Sequence, residues 1–216
     1  MEMFSALRPQ DLWFLAEAAG KTLWISTLAI SSGTLLGILF GWVLSVSGRL
    51  GSMTLGAVLD VFRSIPLIIQ LVLFYNLFPI IGIPLDPFTA GTIVLSIYTL
   101  SLVSNVVRSG IESVSQDLRR ASRSLGMSYW QDMRHIVWPV GLRAVFPAWV
   151  GVALSVLKDS ALVSVLGYVE LLRASQILIT RTQEPLIIMA IVGLFYFFLS
   201  YPIARAASMV EKRWQQ

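Results

Sequence analysis

The charged residues of this chain are few, and the uncharged runs between them are as long as a bilayer is thick. Residues 22–48 lie between Lys21 and Arg49, 64–85 between Arg63 and Asp86, 87–107 between Asp86 and Arg108, and 185–204 between Glu184 and Arg205. An α-helix of about 20 apolar residues crosses the hydrocarbon core, so each run is read as a span. Only 13% of the 216 residues are charged and 56% are hydrophobic, whereas a soluble domain carries about 25% charged residues. A soluble domain and a disordered chain are both excluded, and the length suits one domain.

A further run is harder to read. Residues 144–157, between Arg143 and Lys158, are too few to cross, but continuing through Lys158 and Asp159 to Glu170 gives 144–169. A half-buried dangling segment would leave backbone groups unsatisfied in lipid, so this stretch counts as a span carrying an adjacent Lys–Asp pair. The expected fold is an all-α integral membrane domain over 1–216. Its five helices lie at about 22–47, 60–79, 87–108, 145–168 and 185–207, with a cytoplasmic loop at about 109–143.

An odd number of spans puts the termini on opposite sides. One side collects Arg49, Arg63, Arg108, Arg119, Arg120, Arg123, Arg134, Arg143, Arg205, Lys212 and Arg213; the other holds Arg8, Lys21, Arg173 and Arg181. Cytoplasmic loops carry the Lys/Arg excess, so the amino terminus is expected outside and the carboxyl terminus in the cytoplasm. The first 21 residues carry Glu2, Asp11 and Glu17 and precede a run longer than a signal-peptide core; no cleaved leader is expected.

Several chemistries are unsupported. The chain has no cysteine and one histidine, His135, which excludes disulfides, thiol catalysis and a His-rich metal site. Gly20-Lys21-Thr22 resembles the end of a phosphate-binding loop, but Leu15 stands where its first glycine belongs and a long apolar helix follows. No nucleophile–base pair stands out, so the chain is not expected to be an enzyme by itself.

Four features remain. Ala29, Gly33, Gly37, Gly41 and Ser45 recur every fourth residue and give the first span a small-residue face for close helix packing, within the chain or with a partner. Arg63-Ser64-Ile65-Pro66 opens the second span, with Pro66 in its first turn and Arg63 snorkelling to the cytoplasmic interface. Tyr129, Trp130, Met133, Ile136 and Val137 form the apolar face of an amphipathic helix ending near Pro139, opposite Gln131, Asp132, Arg134 and His135. That face could lie on lipid, pack on its own bundle or dock into a cytoplasmic partner. Lys158 and Asp159, ionisable within a span, point to a translocation path, the alternative being a structural contact between helices.

Residues 120–139, RASRSLGMSYWQDMRHIVWP, resemble the EAA loop of ABC-importer permeases. Ala121, Gly126, Ile136 and Pro139 stand at its matching positions, while Arg120 replaces the glutamate, Ser122 the second alanine and Trp138 the leucine. VFRSIPLIIQL (61–71), VVRSGIESV (106–114) and LKDSALVSVLGYVEL (157–171) resemble segments of the polar amino acid uptake permeases, in the same order. The resemblance covers about residues 22–210.

It implies the type I importer architecture in a bacterial inner membrane, two permeases side by side, two ATPase subunits on the cytoplasmic face and an external binding protein that delivers a polar amino acid. ATP and Mg belong to the ATPases, and this chain is expected to bind no cofactor, metal or nucleic acid. The loop residues expected to meet the ATPase are Arg120, Ala121, Ser122, Gly126, Met127, Tyr129, Trp130, Met133, Ile136 and Pro139. Arg63, Tyr98, Asn105, Lys158, Asp159 and Ser160 are expected along the path. Tyr98 stands where relatives often carry asparagine, which suggests that the second permease is a related but different chain. The alternative is an ATP-independent secondary transporter or channel, against which the absence of an inverted repeat argues.

Overall fold

The computed structural model describes residues 7–214; Glu2 lies outside them. These residues form an all-α fold: α1 (Pro9–Val46), α2 (Arg49–Ser64), α3 (Leu67–Ile80), α4 (Pro87–Ser113), α5 (Gln116–Ser124), α6 (Tyr129–Asp132), α7 (Trp138–Asp159), α8 (Leu171–Thr182) and α9 (Pro185–Trp214). A π-helical turn, Met133–Val137, joins α6 to α7, and a 3-10 segment, Ser160–Leu166, prolongs α7. Four stretches are long and apolar enough to cross a membrane: Pro9–Val46, Pro87–Ser113, Tyr129–Leu166 and Pro185–Trp214. The pair α2 and α3, bent by 99°, is long and apolar enough only when the two are taken together, which gives up to five spans.

The glycine face of α1 lies against α4. A Cβ on Gly33 would sit 2.4 Å from the Thr99 Cβ, one on Gly37 2.7 Å from the Val103 Cβ, and one on Gly41 2.7 Å from the Val107 Cβ. Because the numbers rise together along both helices, α1 and α4 run parallel. With no hydrophobic drive between helices in lipid, such close contact supplies the attraction. The choice left open for this face is thus resolved as a contact within the chain.

Helix α7 packs antiparallel on α4. A Cβ on Gly141 would lie 2.6 Å from the Gly110 carbonyl oxygen at one end, and one on Gly91 would lie 2.4 Å from Val163 at the other. Helix α9 packs chiefly on α7, where Trp214 meets Phe146 (5.0 Å between rings), and touches α1 near its start, where Ile188 and Val192 share an apolar cluster with Leu15 and Ala18.

The second span differs from expectation. A single helix over 60–79 with Pro66 inside its first turn is replaced by two helices, and Pro66 stands just before the first turn of α3. Proline has no N–H and disfavours helical backbone at the preceding residue; Ile65 is extended accordingly (φ −84°, ψ 129°). Arg63 stands beside this break. Leu59, one turn before it, packs with Leu44 and Leu100, and Leu67, one turn after it, packs with Ile25, Ala29, Ala90 and Val94. Arg63 ion-pairs with Asp60 on the same helix.

Other boundaries also move. Helix α1 begins at Pro9, where the Arg8 amide donates to Asp11 Oδ2 (2.8 Å). The Arg181 guanidinium donates to the same carboxylate at 2.5 Å. The segment 109–143 is not all loop, since α4 runs to Ser113 and α7 starts at Trp138. After the 3-10 segment and Gly167, whose φ is +92°, comes α8, to which no element was assigned. Its apolar face, Leu171, Ala174 and Leu178, packs on α1 and α9.

Gly37→Leu should destabilise the protein by about 1–3 kcal/mol, seen as a lower unfolding midpoint in mild detergent. Gly193→Leu, at a site with nothing within 4 Å, should leave the midpoint unchanged.

Candidate functional site

The cytoplasmic connection between α4 and α7 turns a sharp corner at Leu125-Gly126-Met127. Gly126 has φ +80°, its amide donates to the Arg123 carbonyl (2.9 Å), and the Met127 amide donates to the Ser122 carbonyl (3.2 Å). This is the left-handed helix stop that favours glycine, so the motif glycine is explained by backbone conformation. Ser128 and Gln131 then cap α6 reciprocally: the Gln131 amide donates to Ser128 Oγ (3.4 Å) and the Ser128 amide to Gln131 Oε1 (2.8 Å). This S-x-x-Q capping box was legible in the sequence but overlooked.

The amphipathic helix does not end at Pro139. It continues into α7 through the π turn Met133–Val137, whose wider winding, with the Trp138 amide donating to the Met133 carbonyl, comes directly before Pro139, a residue with no amide to donate. Its apolar stripe faces its own bundle: Met133 (2% exposed) and Val137 (0%) pack with Val103, Val107, Ile111 and Val114. Trp42 of α1 donates from Nε1 to the Tyr129 hydroxyl (3.1 Å), and its ring lies 5.6 Å from that of Trp130. The corner is therefore fastened directly to α1, α4 and α7.

The expected ATPase-facing residues divide accordingly. Arg120, Ala121, Gly126, Tyr129, Trp130 and Pro139 are exposed, Met127 and Ile136 are half-buried, and Ser122 and Met133 are buried. Met133 is thus a bundle anchor, being on the helix face turned to α4. Arg120 (74% exposed side chain) lies near Asp117 at 3.6 Å. The buried acid in this loop is Asp132, 1% exposed.

The expected path residues are scattered. Tyr98 is half-buried against the core cluster of α1, α3, α4 and α7. Asp159 accepts from Ser155 Oγ (3.2 Å). Lys158 and Asn105 are exposed, while Ser160 is fully buried and donates to the Leu157 carbonyl (2.8 Å). Tyr98 packs on the core cluster that includes Val156 of α7, three residues before Asp159; Ser160 faces no open surface.

One residue missed in the sequence is Gln70. It is 3% exposed, and its Nε2 donates to the Phe62 (2.7 Å) and Ile65 (2.8 Å) carbonyls. Those acceptors lose helical partners at the break, and in lipid they need internal ones. A glutamine four residues after Pro66 was the available signal. Glu170 was missed likewise: fully buried, it accepts from the Leu172 (2.9 Å) and Arg173 (2.7 Å) amides and caps α8. Among the described residues, no cluster of three or more His, Asp or Glu side chains is placed to hold a metal.

Residues 33–216 match the family of binding-protein-dependent transport system inner membrane components. The chain belongs to this family. It is 28% identical over 201 residues to the glutamine transport system permease protein of Escherichia coli (strain K12), covering 92% of each chain. It is 31% identical over 196 residues to a probable glutamine ABC transporter permease protein of Bacillus subtilis (strain 168), covering 90% of each. Among solved structures, a chain from an amino acid ABC transporter crystallised with histidines is 30% identical, with a TM-score of 0.83 over 93% of this chain and 94% of that one. An inward-facing MetNI methionine ABC transporter chain has the same fold, with a TM-score of 0.84 at 20% identity over 96% and 99% of the two chains. This multi-pass permease thus shares the type I importer architecture.

Gln70→Leu should lower stability by about 1–3 kcal/mol by stranding two carbonyls. An unfolding midpoint equal to wild type would show that the bend holds without the glutamine.

Proposed function

We propose that this chain forms half of the translocation path of an ATP-driven, binding-protein-dependent importer for a polar amino acid, and that it couples to a separate ATPase through the loop 120–139. The observation that carries this reading is the exposed corner at Gly126, fastened to three spans through Trp42, Met133 and Val137. A partner pressing on that corner moves α1, α4 and α7 together. The family match and the glutamine transport named in relatives support the substrate class.

The complex contains two ATPase subunits, an external binding protein and a second permease, set in the inner membrane with this chain's amino terminus outside. ATP and Mg reside on the ATPases, and this chain contributes motion rather than catalysis. Closure of the ATPases draws the two coupling corners together and opens the path outward; hydrolysis resets it. Tyr98, Asp159, Lys158 and Asn105, with Arg63 at the break, form the polar side of this half. Tyr98 in place of the asparagine common among relatives supports a different chain as the second permease. Transport by a homodimer of this chain would overturn that part.

Gly126→Arg should abolish uptake while the chain stays in the membrane, because the left-handed turn disfavours a side chain and the corner surface is obstructed. Normal uptake by that variant would remove the docking role. Asp159→Ala should impair uptake with assembly intact, and unchanged uptake would make the Lys158–Asp159 pair structural. Purification from native membranes should yield a stoichiometric ATPase, whereas a chain competent for transport alone would overturn the importer reading.

A further inference from the structure

The coupling loop contains a buried carboxylate, Asp132, that stands outside the motif positions and is held by Arg119 and by Ser122, the residue in place of the motif's second alanine. Asp132, the last residue of α6, is 1% exposed. Arg119 Nε donates to its Oδ2 (3.2 Å), and Ser122 Oγ lies 2.7 Å from its Oδ1 and 2.9 Å from the Arg119 carbonyl. The hydroxyl has one proton, and the carboxylate is the stronger acceptor. Both donors are on α5, whose only buried residue is Ser122. Helix α5 is otherwise strongly polar, so apolar burial does little to hold it against α6.

We infer that Asp132 is a positioning residue for coupling, fixing α5 against α6 so that force on the Leu125–Met127 corner reaches the spans. It rests on the importer reading. The corner has two arms: the α6 arm is anchored by Met133 and Val137, and the α5 arm is tied by this clasp. Without the carboxylate, α5 can pivot at Gly126 while α6 stays seated, and closure of the partner dissipates in that hinge. The motif position Arg120 points outward, with its side chain 74% exposed, and does not substitute for the clasp.

The test uses the complete complex in proteoliposomes, with uptake and ATP hydrolysis measured together. Asp132→Asn, nearly isosteric, should lower substrate transported per ATP about tenfold or more while hydrolysis and subunit stoichiometry persist. Arg119→Met should do the same, and the double variant should be no worse than the poorer single one, since removing both members leaves no stranded charge. Ser122→Ala should give a smaller loss. An unchanged ratio in Asp132→Asn, or additive losses in the double variant, would overturn the positioning role. Failure of all the variants to assemble would also overturn it, leaving a purely structural clasp. If wild-type uptake needs no ATP, the importer reading itself fails and takes this inference with it.

Discussion

The parallel contact of α1 with α4 is the interaction on which the rest of the bundle is built. Three glycines bring the backbones so close that Thr99, Val103 and Val107 fill the places where α1 side chains would stand. In lipid, apolar surface gains little by leaving its surroundings, and interhelical attraction must come from such packing. With α4 fixed, α7 joins it through Gly110 and Gly141, whose backbones also meet, and reaches α1 through Trp149, which donates to Thr34 Oγ1. Helices α8 and α9 are added at the end of α1 around Leu15 and Ala18.

Where these helices stop, bend or turn on one another, a buried polar side chain supplies the hydrogen bonds, to freed backbone groups in two cases and to a neighbouring helix's side chains in the third. Gln70 caps two carbonyls at the Ile65–Pro66 break, Glu170 accepts two amides at the start of α8, and Asp132 holds α5 to α6. All three side chains are at most 3% exposed. An unpaired backbone group is expensive where water is absent, so each irregularity is tied to a specific residue. Such irregularities are also where an α-helical bundle can move.

The family resemblance was carried by the loop 120–139, and its geometry gives those residues distinct physical jobs. Gly126 makes the turn, Ser128 and Gln131 start the short helix, and Met133 and Val137 seat it. The exposed remainder, including Leu125 (83%) and Trp130 (65%), is available to a partner.

The sequence by itself determined that the chain is a bundle of apolar helices, because twenty uncharged residues in a row have few other stable solutions in water or lipid. The four-residue spacing of Gly33, Gly37 and Gly41 also announced a close helix contact. The sequence could not name the partner helix, since periodicity defines a face and not what covers it. Nor did it reveal that the Tyr129–Val137 stripe packs inward, that Arg63 stands beside a 99° bend, or that Asp132 is buried. Asp132 and Gln131 read alike on the polar face of the same amphipathic helix. Only the approach of α5 from ten residues earlier, bringing Arg119 and Ser122, makes one of them a buried anion and leaves the other at the surface.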